Sequence, residues 1–285
     1  MFADGSIDTI TSKTHPDLFW ALRGGGNNFG IVTRFDLKAF PQGQIWGGRI
    51  FYLLDKLKPV LQALTDINVA LPTDPFATLY IAYVYSQAND GFVIVPELIY
   101  GRPVASPPIF KNFSDIANLG NTLRTANLSE QIAGTNRGYN FRQTTWTATF
   151  KNDAVFLERI LAIWEEEIAP LKKIDGWVPA AIFQPLSKSL LEKSVNSPFD
   201  ITPADGPLIR RSLFKSDGIF TNRTVFNQAL QWTNSADDTR VYAAARNTIN
   251  RATIEAKAKG LDFKWIYQNV SEIRSSKYHY TDTFS

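Results

Sequence analysis

The densest run of residues whose types and spacing could do chemistry lies between His15 and Pro41, HPDLFWALRGGGNNFGIVTRFDLKAFP. Gly24, Gly25 and Gly26 leave a bare backbone whose N–H groups can converge on an anion, and Asn27 and Asn28 tolerate left-handed geometry while offering amide donors. Such a loop can cradle a phosphate. Generic nucleotide motifs nevertheless fit it badly. A dinucleotide fingerprint needs a strand before its glycines and a helix after them, with spacing G-x-G-x-x-G; here the order is reversed and the spacing is G-x-G-x-x-x-G. The Gly-Lys-Ser/Thr of a P-loop is missing. From spacing alone, a plain helix-to-strand connection loosened by glycine is as good an account as a phosphate cradle.

Other reactive side chains are few. The chain has no cysteine, which excludes disulfides and thiol catalysis and leaves the redox compartment open. Its two histidines, His15 beside a helix start and His279 near the end, read as ordinary surface residues. Asn112, Asn127, Asn222 and Asn269 each open an N-x-Ser/Thr sequon, a triplet that fits a secreted glycoprotein but also arises by chance. Met1 is followed directly by Phe2, Ala3, Asp4 and Gly5, so no basic-then-apolar leader is written here, and localisation stays unassigned.

The elements that must position these residues follow from periodicity. Pro16 suits a first helical position and Asp17 the first turn, and Leu18, Phe19, Ala21 and Leu22 give a short apolar helix that the glycines end. Before it, Asp4 and Gly5 mark a hairpin turn leading into a strand over 7–11; after it, Ile31, Val32, Thr33, Phe35 and Leu37 alternate as a strand. Beyond Pro41 the pattern predicts strands over 44–53, 76–85, 91–100, 140–151 and 177–184, the second and third forming a hairpin around Asn89 and Asp90. Helices are expected over 55–69, with Leu57, Leu61 and Leu64 on one side, from Asp153 with Phe156, Ile160, Trp164 and Ile168 on one face, and over 236–259, closed by Gly260. Pro103 to Pro108 is a proline-rich loop, and 110–140, polar and weakly periodic, should hold loops and short helices.

At 285 residues and 44% hydrophobic content the chain can bury one large core or two modest ones. Thirty basic against twenty-seven acidic residues, with no basic cluster, argue against nucleic acid as a partner. Apolar runs such as 79–85 are too short to span a bilayer as a helix, so no membrane partner is expected. Aromatics at 13% fit either core filling or an aromatic-lined pocket. Oligomeric state is not legible.

The segments ADG, PDLFWALRGGG and NFGIVT, in that order, resemble the end of the FAD-binding domain in the vanillyl-alcohol oxidase / p-cresol methylhydroxylase (PCMH) superfamily, specifically the berberine-bridge-enzyme-like oxidases. FRQTTWTATFKND, FQPLSKSLLEKS, ITPADGPLI and WTNSADDTRVYAAARNTINRATIEAKAKG resemble that family's substrate domain. The resemblance implies an α+β chain: residues 1–41 as the C-terminal part of a PCMH-type FAD-binding domain, 42–268 as an antiparallel sheet covered by helices on one face with a broad ligand-facing other face, and 269–285 as a divergent tail. It implies FAD as cofactor, with Gly25, Gly26, Asn28, Gly30, Ile31 and Val32 as candidate contacts to the diphosphate and adenosine end through a loop that keeps the family shape, and a small-molecule substrate. It implies no covalent flavin anchor here, because the family's attachment histidine and cysteine lie in segments this sequence does not include.

The end of the sequence departs from the pattern. FKWIYQN, 263–269, resembles the strand leading to an Asn-Tyr pair whose tyrosine helps deprotonate substrate, but Val270 follows Asn269 and cannot relay a proton. Tyr267 falls at an odd offset on the opposite face of a regular strand, and Tyr278 and Tyr280 lie in an unmatched tail. No catalytic residue is assigned. RRSLFKSDGIFTNRTVFNQ, within 209–228, is longer than the single strand the family places there, as a retained non-coding stretch or a surface insertion would make it. Two functions remain open: an oxidase passing hydride from an alcohol, sugar or alkaloid-like amine to flavin with reoxidation by oxygen, and a truncated, catalytically silent small-molecule binder. The second expects the chain alone neither to hold FAD tightly nor to turn over substrate, and to be prone to aggregate. A carbohydrate-binding module is a weaker third option.

Overall fold

The computed structural model describes residues 1–23, 28–133, 141–186 and 222–263. Expectations about the central glycines, residues 209–221 of the 209–226 stretch, ITPADGPLI, Tyr267, Val270 and the tail lie outside the described residues. Met1–Gln42 belong to one compact unit, and the described residues from Gly43 onward belong to another.

In the first unit the helix forms as its composition dictates: α1 spans Pro16–Leu22 with Pro at its start and Asp17 in its first turn, and it buries none of its residues. The expected strand over 7–11 is absent. Instead the hydroxyls of Thr11 and Thr14 bond each other and nearby backbone N–H groups, closing a local turn ahead of the helix, and His15 Nε2 meets Asp8 Oδ2 at 2.8 Å. Side-chain oxygens here satisfy backbone groups that a sheet would otherwise claim. Only the turn of the expected hairpin is made, with the Phe2 amide donating to the Ser6 carbonyl and the Gly5 amide to the Phe2 carbonyl. The second expected strand, through Ile31 to Leu37, is also absent: residues 30–44 carry no regular structure, and Phe35, Leu37 and Phe40 are exposed.

The second unit is built on an antiparallel sheet. Its strands are β1 (Ile45–Phe51), β2 (Ala77–Ser86), β3 (Gly91–Tyr100), β4 (Gly120–Asn121), β5 (Arg124–Ala126), β6 (Arg142–Lys151), β7 (Val178–Leu186), β8 (Arg223–Trp232) and β9 (Asp262–Phe263). The order is β4-β1-β3-β2-β7-β8-β6-β9, with β5 also pairing β1, and every pairing is antiparallel. Asp90 makes the β2–β3 turn at φ +42°, a left-handed conformation that aspartate tolerates. The short β4 and β5 were not expected from the polar 110–140 stretch. The helices there are α3 (Lys111–Ser114) and α4 (Leu128–Ile132).

Three longer helices, α2 (Leu57–Ala70), α5 (Ala154–Ile168) and α6 (Asp238–Ala258), cover one face of the sheet. Asp153 caps α5 by accepting the Phe156 amide at 2.7 Å, and Phe156, Ile160, Trp164 and Ile168 are all buried. Along α6 most inward positions are small, Ala244, Ala245, Thr248, Ala252 and Ala256 beside Val241 and Ile249, which lets the helix lie close to α5 and β6. Gly260, at φ +64°, follows its end. Against these helices the sheet packs Trp146, Phe150, Phe183, Phe226 and Trp232, each at most 1% exposed.

Candidate functional site

The loop candidates divide between seen and unseen. Gly25 and Gly26 lie outside the described residues. Gly30 takes φ +134°, and a Cβ there would stand 2.6 Å from the Met1 carbonyl oxygen, so only glycine fits. Close approach comes from a pairing of backbones: the Ile31 amide donates to the Met1 carbonyl at 2.9 Å, and the Met1 ammonium donates to the Ile31 carbonyl at 2.7 Å. The Ile31 amide is therefore engaged within the chain. The side chains of Ile31 and Val32 stand out, 61% and 41% exposed.

On the sheet, alternation sends successive side chains to opposite faces. Trp146 and Phe150 meet the helix side, so Thr145, Thr147 and Thr149 face the other way; on β2, Leu79, Ile81 and Tyr83 are buried while Thr78, Tyr80, Ala82 and Val84 are on the opposite side. Register then aligns rows across this second face. One runs through Arg49, Glu97 and Tyr80 on β1, β3 and β2, and through Gln184, Val225 and Thr149 on β7, β8 and β6. The next runs Val95, Ala82, Ile182, Asn227, Thr147.

Two polar clusters sit in these rows. Towards β1, Glu97 Oε2 accepts from Arg49 Nε at 2.8 Å and from the Tyr80 hydroxyl at 2.6 Å. The hydrogen bond to Glu97 holds the Arg49 guanidinium above its ordinary range, and burial, reinforced by Glu97, pushes Tyr80 up to about 12. At neutral pH Tyr80 is thus a fixed hydroxyl donor, not a base. Towards β6, Thr147 and Thr149 are each 1% exposed, and Asn227 is the direct cross-strand partner of Thr147. With strands about 4.8 Å apart, β2 and β6 are roughly 14 Å apart across β7 and β8. Between the clusters the face carries apolar Ala82, Ala180, Ile182 and Ala229, with Gln184 as its polar member beside Val225. Among the described residues no group of His, Asp or Glu is placed to hold a metal ion.

A second face is expected from the sequence, but none of its polar residues is named there. Threonines alternating with aromatics on β6 were the available signal, but Arg49, Glu97 and Tyr80 come together only through the register of three strands.

The fold is that of known flavoenzymes. It superposes on 6-hydroxy-D-nicotine oxidase from Arthrobacter nicotinovorans with a TM-score of 0.63 at 14% identity, over 95% of this chain and 56% of that one. For BBE-like 1 of Physcomitrella patens the TM-score is 0.59 at 14% identity, over 94% and 55%. In sequence, the FAD-dependent monooxygenase elcE of Phaeosphaeria nodorum is 30% identical over 291 residues, covering 94% of this chain and 82% of that protein. The chain belongs to the FAD-linked oxidases of the berberine-bridge-enzyme-like group. Within it, the FAD-dependent monooxygenase sdcF of Emericella nidulans is also 30% identical, over 94% of this chain but 55% of its own length. The chain spans about half the length of several curated relatives it matches, sdcF among them. No family model matches the sequence. The curated relatives are, by name, FAD-dependent monooxygenases, and the α+β architecture with an antiparallel sheet is that of the solved oxidases.

Proposed function

We propose that the chain serves FAD-dependent oxidation of a small organic substrate. In this proposal residues 1–41 contribute to holding the dinucleotide, through Gly25, Gly26, Asn28, Gly30, Ile31 and Val32, and the sheet's second face within 42–268 receives the substrate. The observation that carries it is the alignment with the FAD-dependent monooxygenase elcE over four-fifths of that protein's length. Local chemistry fits. Gly30, whose bare face is taken by the Met1 carbonyl, sets the shape of the loop, and exposed Ile31 and Val32 offer apolar contact to the adenosine end. Because the Ile31 amide is already bonded to Met1, Ile31 contributes its side chain and not its N–H.

When bound, FAD supplies a two-electron acceptor for substrate hydrogen that oxygen can reoxidise. The chain's own part is to orient substrate. Arg49 and Tyr80, locked on Glu97, provide a fixed cation and a fixed hydroxyl donor, and the alanine-rich strip beside them excludes water from an apolar ligand surface. A second reading, binding without turnover, is favoured by Val270, which stands where the resemblance places a proton-handling tyrosine.

Titrating the purified chain with FAD, followed by flavin absorbance, and then measuring oxygen uptake over sugars, benzylic alcohols and alkaloid-like amines separates the two. Flavin uptake with substrate-dependent oxygen consumption supports the oxidase. Substrate binding with no flavin uptake and no oxygen consumption supports the binder.

A further inference from the structure

Buried polar atoms without a partner fall into two sets among the described residues. Asn68 Oδ1, Gln228 Oε1 and the indole nitrogens of Trp164 and Trp177 are scattered: one on α2, one on the helix-facing side of β8, one on α5 and one ahead of β7. Thr147 Oγ1, Thr149 Oγ1 and Asn227 Oδ1 are instead neighbours on the second face. Thr147 and Asn227 pair directly across β6 and β8, and Thr149 is the next residue of β6 on that face. Direct partners carry their Cβ atoms about 5 Å apart, and same-face neighbours along a strand are about 7 Å apart. Three oxygens with no bond to the protein are thus held within the span of one substituted ring. Buried polar groups left unpaired cost stability, and a cluster of them marks a place where a partner is expected to arrive.

We propose that Thr147, Thr149 and Asn227 form the polar end of a substrate subsite for a flat, largely apolar ring system bearing neighbouring hydroxyl groups, a polycyclic phenol. This rests on the assignment of the second face to substrate. Each element of the ligand answers a feature of the face. Asn227 Oδ1 accepts only, so the ligand brings a donor there, whereas each threonine hydroxyl both accepts and donates, which suits a second hydroxyl alongside. Ala82, Ala180, Ile182 and Ala229 continue from the cluster towards β2 with apolar side chains, leaving a floor for a planar ring that Gln184 borders on the Thr149 side. A sugar, polar on every edge, would strand hydroxyls against that floor. The Arg49–Glu97–Tyr80 cluster, roughly 14 Å or more from Thr149, limits the apolar portion to the length of a few fused rings.

The test uses the 285-residue chain without flavin, so its outcome is independent of the FAD titration. Equilibrium dialysis measures binding of 2,3-dihydroxynaphthalene and of 2,3-dimethylnaphthalene, which has the same shape without the hydroxyls. The wild-type chain should bind the dihydroxy probe about ten-fold more tightly, the worth of one or two net hydrogen bonds. In the double variant Thr147→Val, Thr149→Val the preference should fall to about two-fold or less, while the thermal midpoint holds or rises because the hydroxyls make no bond within the protein. The Thr147→Ser, Thr149→Ser control should keep it. Equal affinity for the two probes, no binding of either, or a preference that survives in the valine variant overturns the proposal.

Discussion

Replacing Asn68 offers a sharp test of how the sheet is held to its helices. Asn68 on α2 is fully buried, and its amide nitrogen lies 2.8 Å from the Arg223 carbonyl, 3.1 Å from Asn152 Oδ1 and 3.3 Å from Thr224 Oγ1. Asn152 in turn donates to the Thr65 carbonyl at 2.9 Å, so one small network ties α2, the β6–α5 corner and the first residues of β8. In Asn68→Ala the Arg223 carbonyl, Asn152 Oδ1 and Thr224 Oγ1 each lose the contact to this buried amide, a cost of about 1–3 kcal/mol for removing a buried hydrogen-bonding group. Asn152 keeps Thr224 as a partner, and deleting Asn68 Oδ1 removes an atom that was itself unpaired, so the middle of that range, about 2 kcal/mol, is expected. For a unit of this size that corresponds to a drop of roughly 4–8 °C in Tm. Asn68→Asp is the decisive comparison. A carboxylate points acceptors at three oxygens, and an uncompensated buried charge costs about 3–5 kcal/mol. Its folded-state pKa is then raised above the unfolded value, so the deficit is full above the folded pKa and shrinks as pH falls, when the protonated acid can donate. Thermal and urea unfolding followed by tryptophan fluorescence at neutral and acid pH measure both variants. An alanine variant within about 0.5 kcal/mol of wild type, or an aspartate variant no worse than alanine, would refute the network.

Three further outcomes follow from features already described. Asp153→Ala removes the cap of α5 and should destabilise by about 1 kcal/mol in urea titration, with Asp153→Ser recovering most of it. The hydrogen bond from Arg142 holds Asp238 below its ordinary value of 3.8, with Trp232 adding to it, so its contribution is present above that value and lost as pH falls below it. Asp238→Asn should therefore flatten the acid limb of the stability profile, read as midpoint against pH. Finally, Phe35→Ser, Leu37→Ser and Phe40→Ser together should lower dye binding and raise the concentration at which the chain stays monodisperse in light scattering, since these side chains bury little.

Much of the second unit was legible because its local signals agree with its packing. The β2–β3 hairpin has strict alternation on both arms and Asn89-Asp90 at the turn; α5 has its cap and four residues at helical spacing; α6 ends at a glycine. Where sequence reasoning failed, pairing was the missing ingredient. Ile31 to Leu37 alternate as well as any strand, but alternation marks readiness for an edge, and among the described residues only the Met1 backbone meets them, at Ile31 alone. β4 and β5 are too short and polar to register, yet β1 pairs with both. At the site, Thr147 and Thr149 are spaced as any half-buried strand would space them; only register places Asn227 opposite and shows that all three lack a partner.

The strand order also governs how quickly the sheet can be made. β2 and β3 are joined by a short turn and can close within the chain's first microseconds of searching. The other central pairs cannot. Ile81 must find Phe183 and Phe150 must find Thr224, partners separated by long intervening chain, and each such closure loses chain entropy before any contact rewards it. Folding of this unit is therefore expected to start on the β2–β3 side and finish at β8, the last strand laid between two already waiting. A substitution in the Asn89-Asp90 turn should then slow folding, whereas one at Asn68, which grips β8, should chiefly speed unfolding. Until β8 arrives, β6 and β7 each present a bare edge, and the half-made sheet is most exposed to pairing with another chain at that step.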